Sequence, residues 1–160
     1  MSSAEPIRVL VVDDSATARR SITLALEASD GITVIGEAAE TNEAREKIFS
    51  LKPDVLTLDI EMPGMNGIAF LKLINRFRPM PVLIVSSSSL SASAVTLDAM
   101  QTGVVEIMAK PSAGFQPADI IQLGQKIRAI ADARARSLHT LRKVAPPTTV
   151  RRAPTPPAAT

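Results

Sequence analysis

Four short apolar runs constrain this chain most, because they scarcely alternate with polar residues and each is followed by a group with chemistry of its own. Ile7 to Val12 empties into Asp13-Asp14, Val55 to Leu58 into Asp59, Val82 to Val85 into Ser86, and Val104 to Met108 leads through Ala109 to Lys110. Near-continuous runs of this length are the signature of strands covered on both faces, as in a parallel sheet. Ile32 to Gly36 supplies a fifth run. Between the runs lie helix-length segments with one apolar side each: Ala18, Ile22, Ala25 and Leu26; then Ala44, Ile48 and Leu51; then Ile68, Leu71 and Ile74. A weaker helix through Leu97 and Met100, closed by Gly103, and a last one over about Asp119 to Arg136 complete the alternation. The expected fold is α/β, a doubly wound five-stranded parallel sheet with helices on both faces.

The chain of 160 residues suits one domain over residues 7–136, preceded by a short extension at 1–6. Residues 137–160 read as a disordered, proline-rich tail: five prolines, four alanines and four threonines fall within 144–160 without an apolar face. The whole-chain charge of +2 hides a division. Residues 1–120 hold 10 Lys plus Arg against 15 Asp plus Glu, whereas residues 121–160 hold 8 against 1. The globular part is therefore acidic, and with four Phe and no Trp or Tyr it offers few platforms for bases, so nucleic acid is not an expected partner. Nothing resembles a signal sequence or a membrane span, and the absence of cysteine removes disulfides and thiolate metal sites. A cytoplasmic protein is expected.

In an open α/β sheet, ligands bind at the carboxyl ends of strands. The residues delivered there are Asp13, Asp14, Asp59, Ser86 and Lys110. Each alone is an ordinary turn or helix-start residue, but together they form one chemistry. Three carboxylates in one pocket repel unless a cation lies between them, and an oxygen-only set selects a hard ion, most simply Mg²⁺. Lys110 and the Ser86 hydroxyl suit phosphoryl oxygens, and Asp59 is then a candidate nucleophile forming an aspartyl phosphate.

With these residues in view the chain resembles the receiver domain of two-component response regulators, which have a flavodoxin-like fold. The resemblance is carried by Val11-Val12-Asp13-Asp14-Ser15, by Asp59 in the pattern D-x-x-M-P-x-M-x-G, by Val85-Ser86 and by Lys110-Pro111. It implies that Asp59 is the phosphoacceptor, phosphorylated by a histidine kinase. It also implies that Asp14, Asp59 and the main-chain carbonyl of Glu61 bind Mg²⁺, with Asp13 acting through water. Ser86 would be the switch hydroxyl, Lys110 the phosphoryl contact, and Lys110-Pro111 a cis peptide, which an X-Pro bond tolerates. Where the family usually has an aromatic switch residue, this chain has Ile107.

A narrower resemblance rests on residues 52–63, 81–87 and 109–112, which are similar to the N-terminal receiver of the chemotaxis protein-glutamate methylesterase. That implies regulation of a C-terminal methylesterase domain by the phosphorylation state. The esterase chemistry itself is missing from this sequence, which has no G-x-S-x-G elbow and a single histidine, His139, in the basic tail. Two alternatives are a stand-alone receiver acting by binding alone and a haloacid dehalogenase-type phosphatase. The second wants an aspartate two residues after the nucleophile, where this chain has Glu61.

Overall fold

The computed structural model describes residues 5–62, 65–87 and 105–150, with side chains over 5–61, 67–87 and 105–135. The helix expected through Leu97 and Met100, its Gly103 cap and most of the Pro63-Gly64 turn lie outside the described residues. The elements are β1 (Ile7–Val12), α1 (Ala16–Glu27), β2 (Ile32–Ala38), α2 (Thr41–Leu51), β3 (Val55–Leu58), β4 (Glu61–Met62), β5 (Met65–Asn66), α3 (Gly67–Phe77), β6 (Val82–Ser86), β7 (Val105–Ala109) and α4 (Pro117–Val150). Five strands form one parallel sheet in the order β2-β1-β3-β6-β7, and β4 and β5 form a separate antiparallel pair. The order reverses its direction between β1 and β3, which makes the carboxyl ends of those two strands the crevice of the sheet.

Strand residues of alternating parity feed two cores, as the pleat requires. Val9, Val11, Val55, Leu83, Val85 and Met108 pack with Ile22, Ala25 and Leu26 of α1 and with Leu123, Ile127 and Ile130 of α4. Leu10, Val12, Leu56, Leu58 and Ile84 pack with Ala44 and Ile48 of α2 and with Phe70, Leu71 and Ile74 of α3. Helices thus cover both faces, which is why the strands lack a polar stripe.

The connections are secured locally. Ser15 caps α1, its Oγ accepting from the Ala18 N–H at 3.2 Å. The α2 helix ends at Lys52, a non-glycine residue in the left-handed region (φ 52°), and Arg8 donates to the Leu51 and Lys52 carbonyls at 2.6 Å each. An arginine near the start of β1 thereby satisfies carbonyls that a helix end leaves open.

Two expectations are corrected. The Lys110–Pro111 bond is trans, as are all peptide bonds of the described residues. The trans form is the lower in energy for X-Pro, and the connection to α4 turns instead through Gly114, at φ 88°. The last helix does not stop near Arg136 but continues to Val150, through residues that composition places in the tail. Ala133, Arg134, Ala135, Arg136, Leu138, Leu141, Arg142 and Lys143 are strong helix formers, so propensity carries the helix as far as Lys143 where the apolar face has ended, whereas Pro146 and Pro147 oppose its last turns.

Candidate functional site: an acid cluster bridged by a lysine

The backbone brings the two acid-bearing segments together. Asp59 donates its N–H to the Val12 carbonyl at 3.1 Å, and Asp13 donates to Ala38 at 3.1 Å, so both acids leave the sheet at adjacent strand ends. Parity then decides which way each points. Asp13 follows Val9 and Val11, Asp59 follows Val55 and Thr57, and Lys110 follows Met108, all on the α1 and α4 side of the sheet. Their side chains meet there: the Lys110 ammonium donates to Asp13 Oδ2 at 2.9 Å and to Asp59 Oδ2 at 3.2 Å.

Asp13 is wholly buried and Asp59 is 5% exposed, while Asp14 is exposed at the mouth. Buried carboxylates are stable only when paired and hydrogen-bonded. Each has that support on its other oxygen: Asp13 Oδ1 accepts from the Ser15 N–H and Asp59 Oδ1 from the Glu61 N–H, both at 2.9 Å. Burial works against the charge on Lys110, but its hydrogen bond to Asp13 and the fields of Asp13 and Asp59 outweigh that, holding its pKa above the ordinary lysine value.

One carboxylate oxygen each from Asp13, Asp14 and Asp59 lies within 4.8 Å of the others. Opposite vertices of a Mg²⁺ octahedron stand roughly 4.2 Å apart. The donor set, all oxygen and spanning that distance, therefore fits a hard divalent ion. The Glu61 carboxylate is not in this cluster; it accepts from the Ser87 hydroxyl at 3.1 Å, while the Glu61 N–H donates to Asp59. Ser86 is 3% exposed at the end of β6, and its carbonyl accepts from the Lys110 N–H at 2.9 Å, which sets these two strand ends side by side. Ile107 pairs with Ile84 and packs, half-buried, against the core on the α2 and α3 side. It thus lies on the opposite side of the sheet from Lys110.

Three supports were not legible as site residues. Arg19, in the second turn of α1, donates to the Asp13 carbonyl at 2.8 Å and to Glu37 of β2 at 3.3 Å, and Glu37 also accepts from Thr23 at 3.1 Å. The only signal was a basic residue soon after the acid pair. Gly67 begins α3 against the turn after Asp59: a Cβ there would overlap the Ile60 Cα and come within 2.9 Å of its carbonyl oxygen. Thr57, two residues before Asp59, is 1% exposed, and its hydroxyl finds no partner among the described residues.

Residues 9–123 match the response regulator receiver domain family, and the chain belongs to that family. It is similar to a protein-glutamate methylesterase/protein-glutamine glutaminase of Rhizobium johnstonii, 45% identical over 91% of this chain and 42% of the relative. A protein of the same description from Syntrophus aciditrophicus is 48% identical over 80% of this chain and 38% of its own length. The chain therefore spans about two-fifths of these curated relatives. Among solved structures, the response regulator domain of Thermotoga maritima CheB aligns with a TM-score of 0.70 at 40% identity, covering 80% of this chain and 98% of that one. The receiver domain of a putative NarL from Mycobacterium tuberculosis aligns at 0.68 and 29% identity, over 81% of this chain and 98% of that one.

Proposed function

We propose that Asp59 is the phosphoacceptor of a chemotaxis-type response regulator, charged by a histidine kinase and read out by a methylesterase domain beyond this stretch of chain. The observation that carries it is the Lys110 ammonium bridging buried Asp13 and Asp59 at the crevice of the sheet. In the transfer, an Asp59 carboxylate oxygen attacks phosphorus as the bond to the kinase imidazole nitrogen breaks, leaving an aspartyl phosphate and an imidazole that is neutral because its other ring nitrogen carries a proton. Lys110, already paired with Asp59, follows the charge onto the phosphoryl oxygens, and the Ser86 hydroxyl donates to another of them. Asp13, Asp14, Asp59 and the Glu61 main-chain carbonyl would hold Mg²⁺, which supplies charge neutralisation to the incoming group. No helix among the described residues is long and apolar enough to cross a membrane, in keeping with a cytoplasmic setting for this exchange.

Drawing Ser86 and Lys110 toward a new dianion would move the ends of β6 and β7, and with them the surface formed by β7 and α4. Ile107 has no ring to rotate, so the change would pass through Ser86. The identity to the methylesterases supports the same plan, in which this surface covers an effector domain until Asp59 is phosphorylated. The haloacid dehalogenase alternative loses its second acid, because the Glu61 carboxylate is turned to Ser87.

The test is incubation of the chain with Mg²⁺ and acetyl phosphate, followed by intact mass. A single phosphoryl addition is expected, absent when chelator replaces Mg²⁺ and absent in Asp59→Asn. An unlabelled wild-type chain, or equal labelling of Asp59→Asn, would overturn the assignment.

A further inference from the structure

We propose that the groove between α2 and α3 docks an acidic amphipathic helix of a partner protein. The chain contains four aromatic residues, all phenylalanine, and three of them, Phe49, Phe70 and Phe77, line this one groove. Phe70 forms its floor at 4% exposed, whereas Phe49 and Phe77 stand 52% and 65% exposed on its walls. Large aromatic side chains held open to water in this way are the anchors typical of protein interfaces.

Spacing suggests the shape of the occupant. Phe70, Leu73 and Phe77 repeat at intervals of three and four along α3, and Arg45 and Phe49 lie four apart on α2. The apolar row from Phe70 to Phe77 covers roughly 10 Å of helix, the reach of a docked helix with anchors at i, i+3 or i+4, and i+7.

Charge decides which helix. Arg45 and Arg78 border the groove, and no carboxylate lines it. Arg45 reaches only Asn42, at 3.4 Å, and neither arginine is paired with a carboxylate among the described residues. Residues 136–160, which follow the packed part of α4, are a poor occupant, since they hold five Lys or Arg and no Asp or Glu. A second copy docked about a two-fold axis would bring the same arginines onto this face from both sides. An acidic helix satisfies both guanidinium groups while it covers Phe49 and Phe77. None of the lining residues belongs to the acid cluster, so the docking does not depend on the phosphoacceptor assignment.

The experiment uses the full chain and two labelled synthetic helices that share the same leucine and phenylalanine anchors, one flanked by glutamate and its twin by lysine. Fluorescence anisotropy should give binding of the acidic helix at least about tenfold tighter than of the twin. Phe49→Ala with Phe77→Ala should weaken the acidic helix by about tenfold while the melting temperature holds. Arg45→Glu with Arg78→Glu should reverse the preference between the two helices. Equal binding of both helices, binding of neither, or binding insensitive to the phenylalanine pair would overturn the proposal. So would a concentration-dependent dimer in sedimentation that the phenylalanine substitutions abolish, since the occupant would then be a second copy.

Discussion

Replacing Lys110 with methionine keeps the apolar stem and removes the charge that two buried acids share. Asp13 is fully buried and Asp59 is 5% exposed, and both now face each other uncompensated. Two unit charges 4.8 Å apart repel by about 3.5 kcal/mol at an effective dielectric constant of ~20, and the cluster oxygens lie within that distance. Taking one member from a buried ion pair costs about 3–5 kcal/mol in general, so the two estimates agree. The expected destabilisation of Lys110→Met in the presence of chelator is about 3 kcal/mol, a fall of roughly 10 °C in melting temperature for a domain of this size. A divalent ion held by the same acids would replace the lost charge. At a hundredfold excess over its dissociation constant it stabilises by about 2.7 kcal/mol, and that gain should be larger in the variant than in the wild type. Urea unfolding of both chains with chelator and with Mg²⁺ measures all four values. If Lys110→Met lies within about 0.5 kcal/mol of wild type in chelator, or if Mg²⁺ stabilises the two chains equally, the electrostatic reasoning is wrong.

Three further outcomes are expected. Gly67→Ala forces a methyl group onto the Ile60 backbone and should cost about 1–3 kcal/mol in urea unfolding while slowing phosphorylation, because the displaced turn carries Asp59. Thr57→Val removes a buried hydroxyl without a described partner and should leave stability unchanged or raise it by up to about 1 kcal/mol; a clear loss would mean that the hydroxyl is satisfied. Lys110 has its pKa raised in the fold, so its pairing stabilises fully below the ordinary lysine pKa of 10.5 and is lost as pH climbs past it. Alkaline titration of stability should therefore show a decline in wild type that Lys110→Met lacks.

Most of the sheet was legible because strands covered on both faces cannot alternate. Ile7 to Val12 and Val82 to Val85 read as buried runs, and Val9 to Val12 and all of Val82 to Val85 are buried while Ile7 and Arg8 are half-buried. Helix faces were legible for the related reason that Ile22, Leu26, Ile48, Leu71, Leu123 and Ile127 fall at helical spacing, and all six are buried. The meeting of Asp13, Asp59 and Lys110 followed from the rule that parallel strands deliver their ends to one edge.

What escaped depends on contacts that sequence spacing does not encode. Arg19 reaches a main-chain carbonyl, an acceptor every residue possesses, so nothing in the sequence singled it out. The antiparallel pair of β4 and β5, two residues each, is too short for any periodicity. The isomer at Pro111 leaves no mark in spacing, and the continuation of α4 as far as Lys143 rests on propensity beyond the packed face. The phenylalanine groove was invisible because Phe49 and Phe77 lie on different helices, 28 positions apart in the sequence, and only the packing of α2 beside α3 brings them together.

The central claim is that one carboxylate of the cluster is the nucleophile and the others serve it. Borohydride reduction of the chain after treatment with Mg²⁺ and acetyl phosphate, followed by peptide mapping, tests this directly, since an acyl phosphate is reduced to an alcohol where it stands. The expected result is homoserine at position 59 alone. Reduction at Asp13 or Asp14, or at no acid, would contradict it.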